Sequence, residues 1–149
     1  MPSAPSPISI KPFTMRVADE VLADLKTRLQ RTRWPEPAPG APWSQGTDLE
    51  SLQGLLRHWA DGFDWRAEEV RLKAFRHFQA DLDGIRIHFV HEPAREGQGI
   101  PLIRPHGWPG SFLEYLPLVP LLTAPRAHGI PGPAFDVVLP SLPGYGFSE

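Results

Sequence analysis

Residues 100–122, "IPLIRPHGWPGSFLEYLPLVPLL", decide how this chain is read. An apolar run (Ile100, Leu102, Ile103) leads into a turn of glycines and prolines, and Ser111 then opens a stretch with helical apolar spacing. Strand, turn and helix make the first half of a βαβ unit, and "FDVVLPS" at 135–141 supplies the returning strand. In such a unit, ligands gather where strand C-terminal ends meet helix N-termini. The turn "HGWPGS" (106–111) holds that position after the first strand, and "PSLPGYGFS" (140–148) holds it after the second. Two shaped loops on one sheet edge make that edge the candidate site.

Upstream, "HFQADLD" and "IRIHFVHE" flank Asp83-Gly84, a strong signal for a two-residue hairpin. The residues before about 75 are helical in texture. From Ala18 to Arg31 the residues Val17, Val21, Leu22, Leu25 and Leu29 share one face. Asp19 and Glu20 in the first turn and Arg28 and Arg31 near the end suit the helix dipole. A proline-rich loop, "RTRWPEPAPGAPWSQG" (31–46), follows. Thr47-Asp48-Leu49-Glu50 reads as a capping box, with Leu49, Leu52, Leu55, Leu56 and Trp59 as the apolar face of a second helix. Asp64 caps a third helix to about Lys73, with Trp65, Val70 and Leu72 turned inward. Residues 1–10 read as a flexible tail, and 11–17 as a weak strand signal. The expected organisation is a tail at 1–10, a helical segment at 11–75, and the first strands of an α/β domain at 76–149.

The 149 residues suffice for one modest domain with a core. A formal net charge of −2 gives no electrostatic case for nucleic acid or an anionic membrane surface. There is no cysteine, hence no disulfide or thiol chemistry. No stretch approaches the roughly 18 apolar residues that span a bilayer. The N-terminus lacks the charged and apolar regions of a signal peptide, so the expected location is cytoplasmic. Nineteen prolines are many, but five tryptophans and eight phenylalanines argue for loops pinned by aromatics rather than for disorder. Trp34, Trp43, Trp59, Trp65, Phe75 and Phe78 are read as packing residues, not a ligand cage. His88 and His91, three apart on a strand, point to opposite faces and make no metal pair.

Taken in order and spacing, residues 33–92 (beginning "RWPEPAPGAPW"), "HGWPGSFLEYLPLVPLL" (106–122) and "FDVVLPSLPGYGFS" (135–148) resemble the N-terminal part of epoxide hydrolases of the microsomal and juvenile-hormone type. The resemblance covers about residues 11–149. It implies an α/β-hydrolase fold, in which 11–75 wrap the catalytic domain. In that family an aspartate attacks an epoxide carbon to give an ester, and a histidine-activated water hydrolyses it to a vicinal diol. No cofactor or metal is implied. By resemblance the Trp108 backbone N–H is one oxyanion-hole donor. A fixed N–H is suited to that task, and loss of one such donor costs on the order of 3 kcal/mol. Gly107 and Gly110 are expected to allow a tight backbone path and Pro109 to rigidify it, with a cis Trp108–Pro109 peptide.

His106 is expected to be structural, because in this fold the catalytic base comes last in chain order. Ser111 lies in "GSF" and is expected to start a helix rather than attack a substrate. Tyr145 and Phe147 are expected to line the pocket. One departure from the family is "Ile103-Arg104-Pro105-His106", where a buried Arg104 would need a partner and Pro105 cannot serve a central strand.

Neither G-x-S-x-G nor G-x-D-x-G occurs in the chain, and Asp61, Asp83 and Asp136 have the wrong neighbours for a nucleophile elbow. The expectation is therefore that nucleophile, acid and base lie beyond Glu149 and that these residues do not catalyse alone. The expected ligand is a small-molecule epoxide. Two further readings stay open. One is half of a split hydrolase, completed by a second chain or by self-association through an open strand edge. The other is a non-enzymatic binding module on the same scaffold. The tryptophan-rich N-terminal segment argues against a haloalkane dehalogenase.

Overall fold

The computed structural model describes residues 8–149, so most of the expected tail lies outside the described residues. The chain forms two compact units. One is residues 16–71; the other joins residues 8–15 with those from Leu72 onward.

The first unit is helical. Its α1 (Asp19–Gln30) starts after Ala18 without a side-chain cap, and carries Asp19 and Glu20 in its first turn and Arg28 in its last. Leu22, Leu25 and Leu29 are half-buried, but Val21 faces solvent. The apolar stripe is thus narrower than the sequence pattern implied. Helix α2 (Leu49–Arg57) is capped by Asp48, whose carboxylate accepts the Ser51 N–H at 2.9 Å. The cap lies one residue beyond the expected Thr47, because an aspartate side chain reaches the N–H three residues on. The helix then widens into a single π turn, His58–Gly62, closed by Phe63 N–H to His58 O at 2.9 Å. Trp34, Trp43 and Trp59, expected to pack, and Leu55, expected on the apolar face of α2, are exposed.

Helix α3 (Trp65–Leu72) begins at Asp64, which accepts the Ala67 N–H at 3.0 Å. Its register differs from expectation: Val70 is exposed and Glu69 is buried. Trp65, Glu69 and Leu72 are spaced four and three apart, so they share a face, and Val70 lies off it. The Glu69 carboxylate accepts the Val17 N–H at 2.7 Å and an Arg66 guanidinium N–H at 2.8 Å. Arg66 also pairs with Asp19. The Val17 bond above all, and Arg66 after it, hold the Glu69 carboxyl at about 2, against the opposing pull of burial.

The second unit is a five-stranded mixed sheet in the order β1-β2-β3-β5-β4. Ile10, at the end of the expected tail, begins β1 (Ile10–Pro12), which pairs antiparallel with β2 (His77–Leu82). β2 and β3 (Ile85–Glu92) form the expected hairpin. Its two turn residues, Asp83 and Gly84, have φ of 54° and 85°, the positive pair that matches strand twist. β5 (Phe135–Pro140) lies antiparallel to β3 and parallel to β4 (Ile100–Ile103), completing the strand–crossover–strand unit. Pro101 sits in β4 without loss of a ladder bond. The N–H groups of Ile100 and Arg104 point to β5 (3.0 and 2.9 Å), so the alternate residue 101 faces the outer edge.

The crossover is not one α-helix. Phe112–Leu118 is a 3-10 turn, followed by the short α4 (Val119–Thr123). Pro117 and Pro120 lack the N–H groups that α-helical bonding needs, and the tighter geometry takes over. Even so, its apolar residues reach the sheet. Met15, Leu72, Val90, Phe112, Leu116, Val119, Val137 and Leu139 form one buried cluster. Alternation places His88, Val90 and Glu92 of β3 on the buried face and His91 on the other.

Candidate active site

Both loops leave the sheet at neighbouring strand ends. After β4, Arg104 still donates its N–H to Val138 O, but its side chain is exposed and lies 4.9 Å above the Tyr115 ring. The charge is therefore solvated and stacked, not buried, and Pro105 lies beyond the strand. His106 turns inward. It is only 4% exposed, and its Nε2 accepts the Leu142 N–H at 3.1 Å. Accepting at Nε2 leaves the proton on Nδ1, which faces Gly107 O at 3.4 Å. The Tyr145 ring meets the imidazole edge-on at 5.0 Å. One buried ring thus ties "HGWPG" to "SLPGYGFS". It has no ring nitrogen left for acid–base chemistry.

Gly107 to Gly110 form a tight turn closed by Gly110 N–H to Gly107 O at 2.7 Å, with the Trp108–Pro109 peptide cis as the resemblance implied. Neither glycine uses the left-handed region. A Cβ at 110 would meet only the carboxylate end of the exposed Glu114 side chain, which can move aside, and one at 107 would meet nothing, so nothing in the structure requires glycine at either position. The Trp108 N–H has no hydrogen-bond partner among the described residues, and its side chain is 85% exposed. The loop therefore leaves the Trp108 N–H free, two residues from the His106 ring on which Tyr145 packs. Ser111 caps the following turn, accepting the Leu113 N–H at 3.3 Å, which occupies its hydroxyl as a helix start.

Phe147, expected to line a pocket, packs inward against Phe13 (5.4 Å) and His88 (5.3 Å). Sequence reasoning missed the buried partners of that loop, His88 and Ser141. They lie 53 positions apart and no motif links them.

A strand order that interposes β5 between β3 and β4, with shaped loops at the ends of β4 and β5, defines the opening portion of an α/β-hydrolase sheet. The comparisons agree. Residues 10–115 match the family described as epoxide hydrolase N terminus, and the chain belongs to that family. It is 48% identical over 141 residues to a putative epoxide hydrolase of Stigmatella aurantiaca, covering 94% of this chain and 32% of that protein. It is 38% identical over 146 residues to epoxide hydrolase 1 of Oryctolagus cuniculus, covering 95% of this chain and again 32% of the relative. Among solved structures, the juvenile hormone epoxide hydrolase of the silkworm Bombyx mori superposes with a TM-score of 0.84 at 32% identity, over 96% of this chain and 34% of that one. The chain thus spans about a third of the length of these relatives. No helix among the described residues is long and apolar enough to cross a membrane.

Proposed function

We propose that these residues are the N-terminal part of an epoxide hydrolase, and that they supply one wall of its active site. The whole enzyme converts an epoxide and water to a vicinal diol through an aspartyl ester. In this reading the Trp108 N–H is half of the oxyanion hole, which acts when the ester is hydrolysed and negative charge develops on the carbonyl oxygen. The other donor, the nucleophile, the acid and the base belong to sequence that these 149 residues do not contain. The observation that carries the reading is the unpaired Trp108 N–H on a turn braced by buried His106. Pre-organisation matters here, because a donor already held in place needs no reorganisation as charge appears. Tyr145, packed on His106, lines the pocket beside it.

The test joins residues 1–149 to the portion of the Stigmatella aurantiaca relative that they do not match, and measures diol formation from an aryl epoxide. Turnover by the chimera and none by residues 1–149 alone is the expected result. Turnover by residues 1–149 alone would contradict the reading.

A further inference from the structure

The interior of the sheet unit holds a file of three polar side chains. His77 on β2, His88 on β3 and Ser141 after β5 are all buried. His77 Nε2 lies 2.8 Å from the Leu72 carbonyl oxygen, which can only accept, so that nitrogen carries the proton. His77 Nδ1 must then accept, and its partner at 2.9 Å, His88 Nε2, must donate. His88 Nδ1 in turn accepts from the Ser141 hydroxyl at 2.8 Å. The donors all run one way, from Ser141 to Leu72, with both rings neutral. The same residues are stitched by backbone as well. Ser141 N–H donates to His88 O at 2.8 Å, His88 N–H to Ser148 Oγ at 2.9 Å, and Ser148 Oγ to Ser141 O at 2.8 Å. Both ends of loop 141–148 are thereby tied to the middle of β3.

We propose that the Ser141–His88–His77 chain is an acid-sensitive lock on loop 141–148, closed in this one-way arrangement and opened when His88 takes a second proton. An added proton turns an accepting nitrogen into a donor. It forces the Ser141 hydroxyl to reverse, so that its hydrogen must find another acceptor. The proton also places a charge in apolar surroundings. What faces His88 is Phe13 at 5.3 Å, Phe112 at 5.0 Å, Phe147 at 5.3 Å and uncharged Ser141. The titratable group facing it is His77, itself against Phe112. Further along the same face of β3, Glu92 is engaged by the Arg76 N–H and by Arg95. Burial first, and His77 second, hold the His88 ring at about 4. Opening the loop is the route by which the charged ring reaches water. The lock needs no epoxide, so it stands or falls separately from the proposed reaction.

Ring 15N spectra of the labelled chain, with backbone amides followed from pH 7.5 to 3.5, test it. At pH 7.5, His77 and His88 should both carry the proton on Nε2, and His106 on Nδ1. On acidification His88 should take its second proton well below 6.5. The amides of 141–148 should lose exchange protection with that same midpoint, while β2 and β3 keep theirs. In Ser141→Ala, which removes the donor to His88 Nδ1, the loop midpoint should rise by about one pH unit. Other tautomers for His77 and His88, a His88 midpoint near 6.5 with the loop still protected, or loss of all amides together would each overturn the proposal. So would an unchanged midpoint in a folded Ser141→Ala. If that variant does not fold, the wild-type tautomers and midpoints decide.

Discussion

The helical unit and the centre of the sheet unit bury polar groups by opposite means. In residues 16–71 the buried group is a carboxylate, Glu69, kept ionised by the Val17 N–H and by Arg66. At the centre of the sheet unit the buried groups are imidazoles, kept neutral by a one-way file of hydrogen bonds; at the end of β3 the same unit buries Glu92 in the helical unit's manner, against the Arg76 N–H and Arg95. Glu69 and Glu92 each have an arginine within reach, whereas His77 and His88 are surrounded by strand backbone, a serine and phenylalanines. The difference teaches that a buried polar group takes whichever charge state its neighbours can satisfy.

The largest effect is expected from His88→Ala. It opens a cavity in the core and strands His77 Nδ1 and the Ser141 hydroxyl, so urea unfolding of the sheet unit should show a loss of about 4 kcal/mol. A loss below about 1 kcal/mol would mean that the file is not part of what holds the sheet.

Acid sharpens the comparison, because the two groups fail in different windows. His88 has a folded value of about 4 against 6.5 for an ordinary histidine. Between those values the unfolded chain binds more protons than the folded one, so stability falls as pH drops from 6.5 to 4 and is then level. Glu69 is depressed from 4.5 to about 2, so its contribution is present above 4.5 and is lost as pH falls towards 2. Unfolding curves at closely spaced pH should show the sheet unit weakening first, and Glu69→Gln should abolish the lower window while leaving the upper one. The smallest effect belongs to the helical unit's surface. Asp48→Ala removes the cap on Ser51 and should cost about 1 kcal/mol in a melting experiment, with no change in either acid window.

Much of the fold was legible in the sequence because it rests on local signals. Asp83-Gly84 specified the hairpin through its positive φ values, and the apolar runs at 100–103 and 135–140 specified parallel partners. The "HGWPG" turn was legible for the same reason, since glycines and prolines act on their own backbone. Three features were not. Prolines 117 and 120 replaced one helix with a 3-10 turn and a short α4, a competition that spacing of apolar residues does not register. Val70, expected inward, faces solvent, and Glu69, bonded to the distant Val17 N–H, lies on the buried face instead. Phe147 turned into the core because His88, 59 positions earlier in the numbering, stands there to receive it. Pairings between distant residues carry no local signature.

In the proposed function, the Trp108 backbone N–H, rather than its side chain, acts on the reaction. The direct measurement replaces the Trp108 amide with an ester by semisynthesis in the chimera with the Stigmatella aurantiaca relative, and compares kcat for diol formation with that of Trp108→Ala. Loss of the N–H should lower kcat by about 10² to 10³-fold, and Trp108→Ala, which keeps the N–H, should cost at least about tenfold less. Equal losses, or an ester variant as active as the parent, would contradict the account.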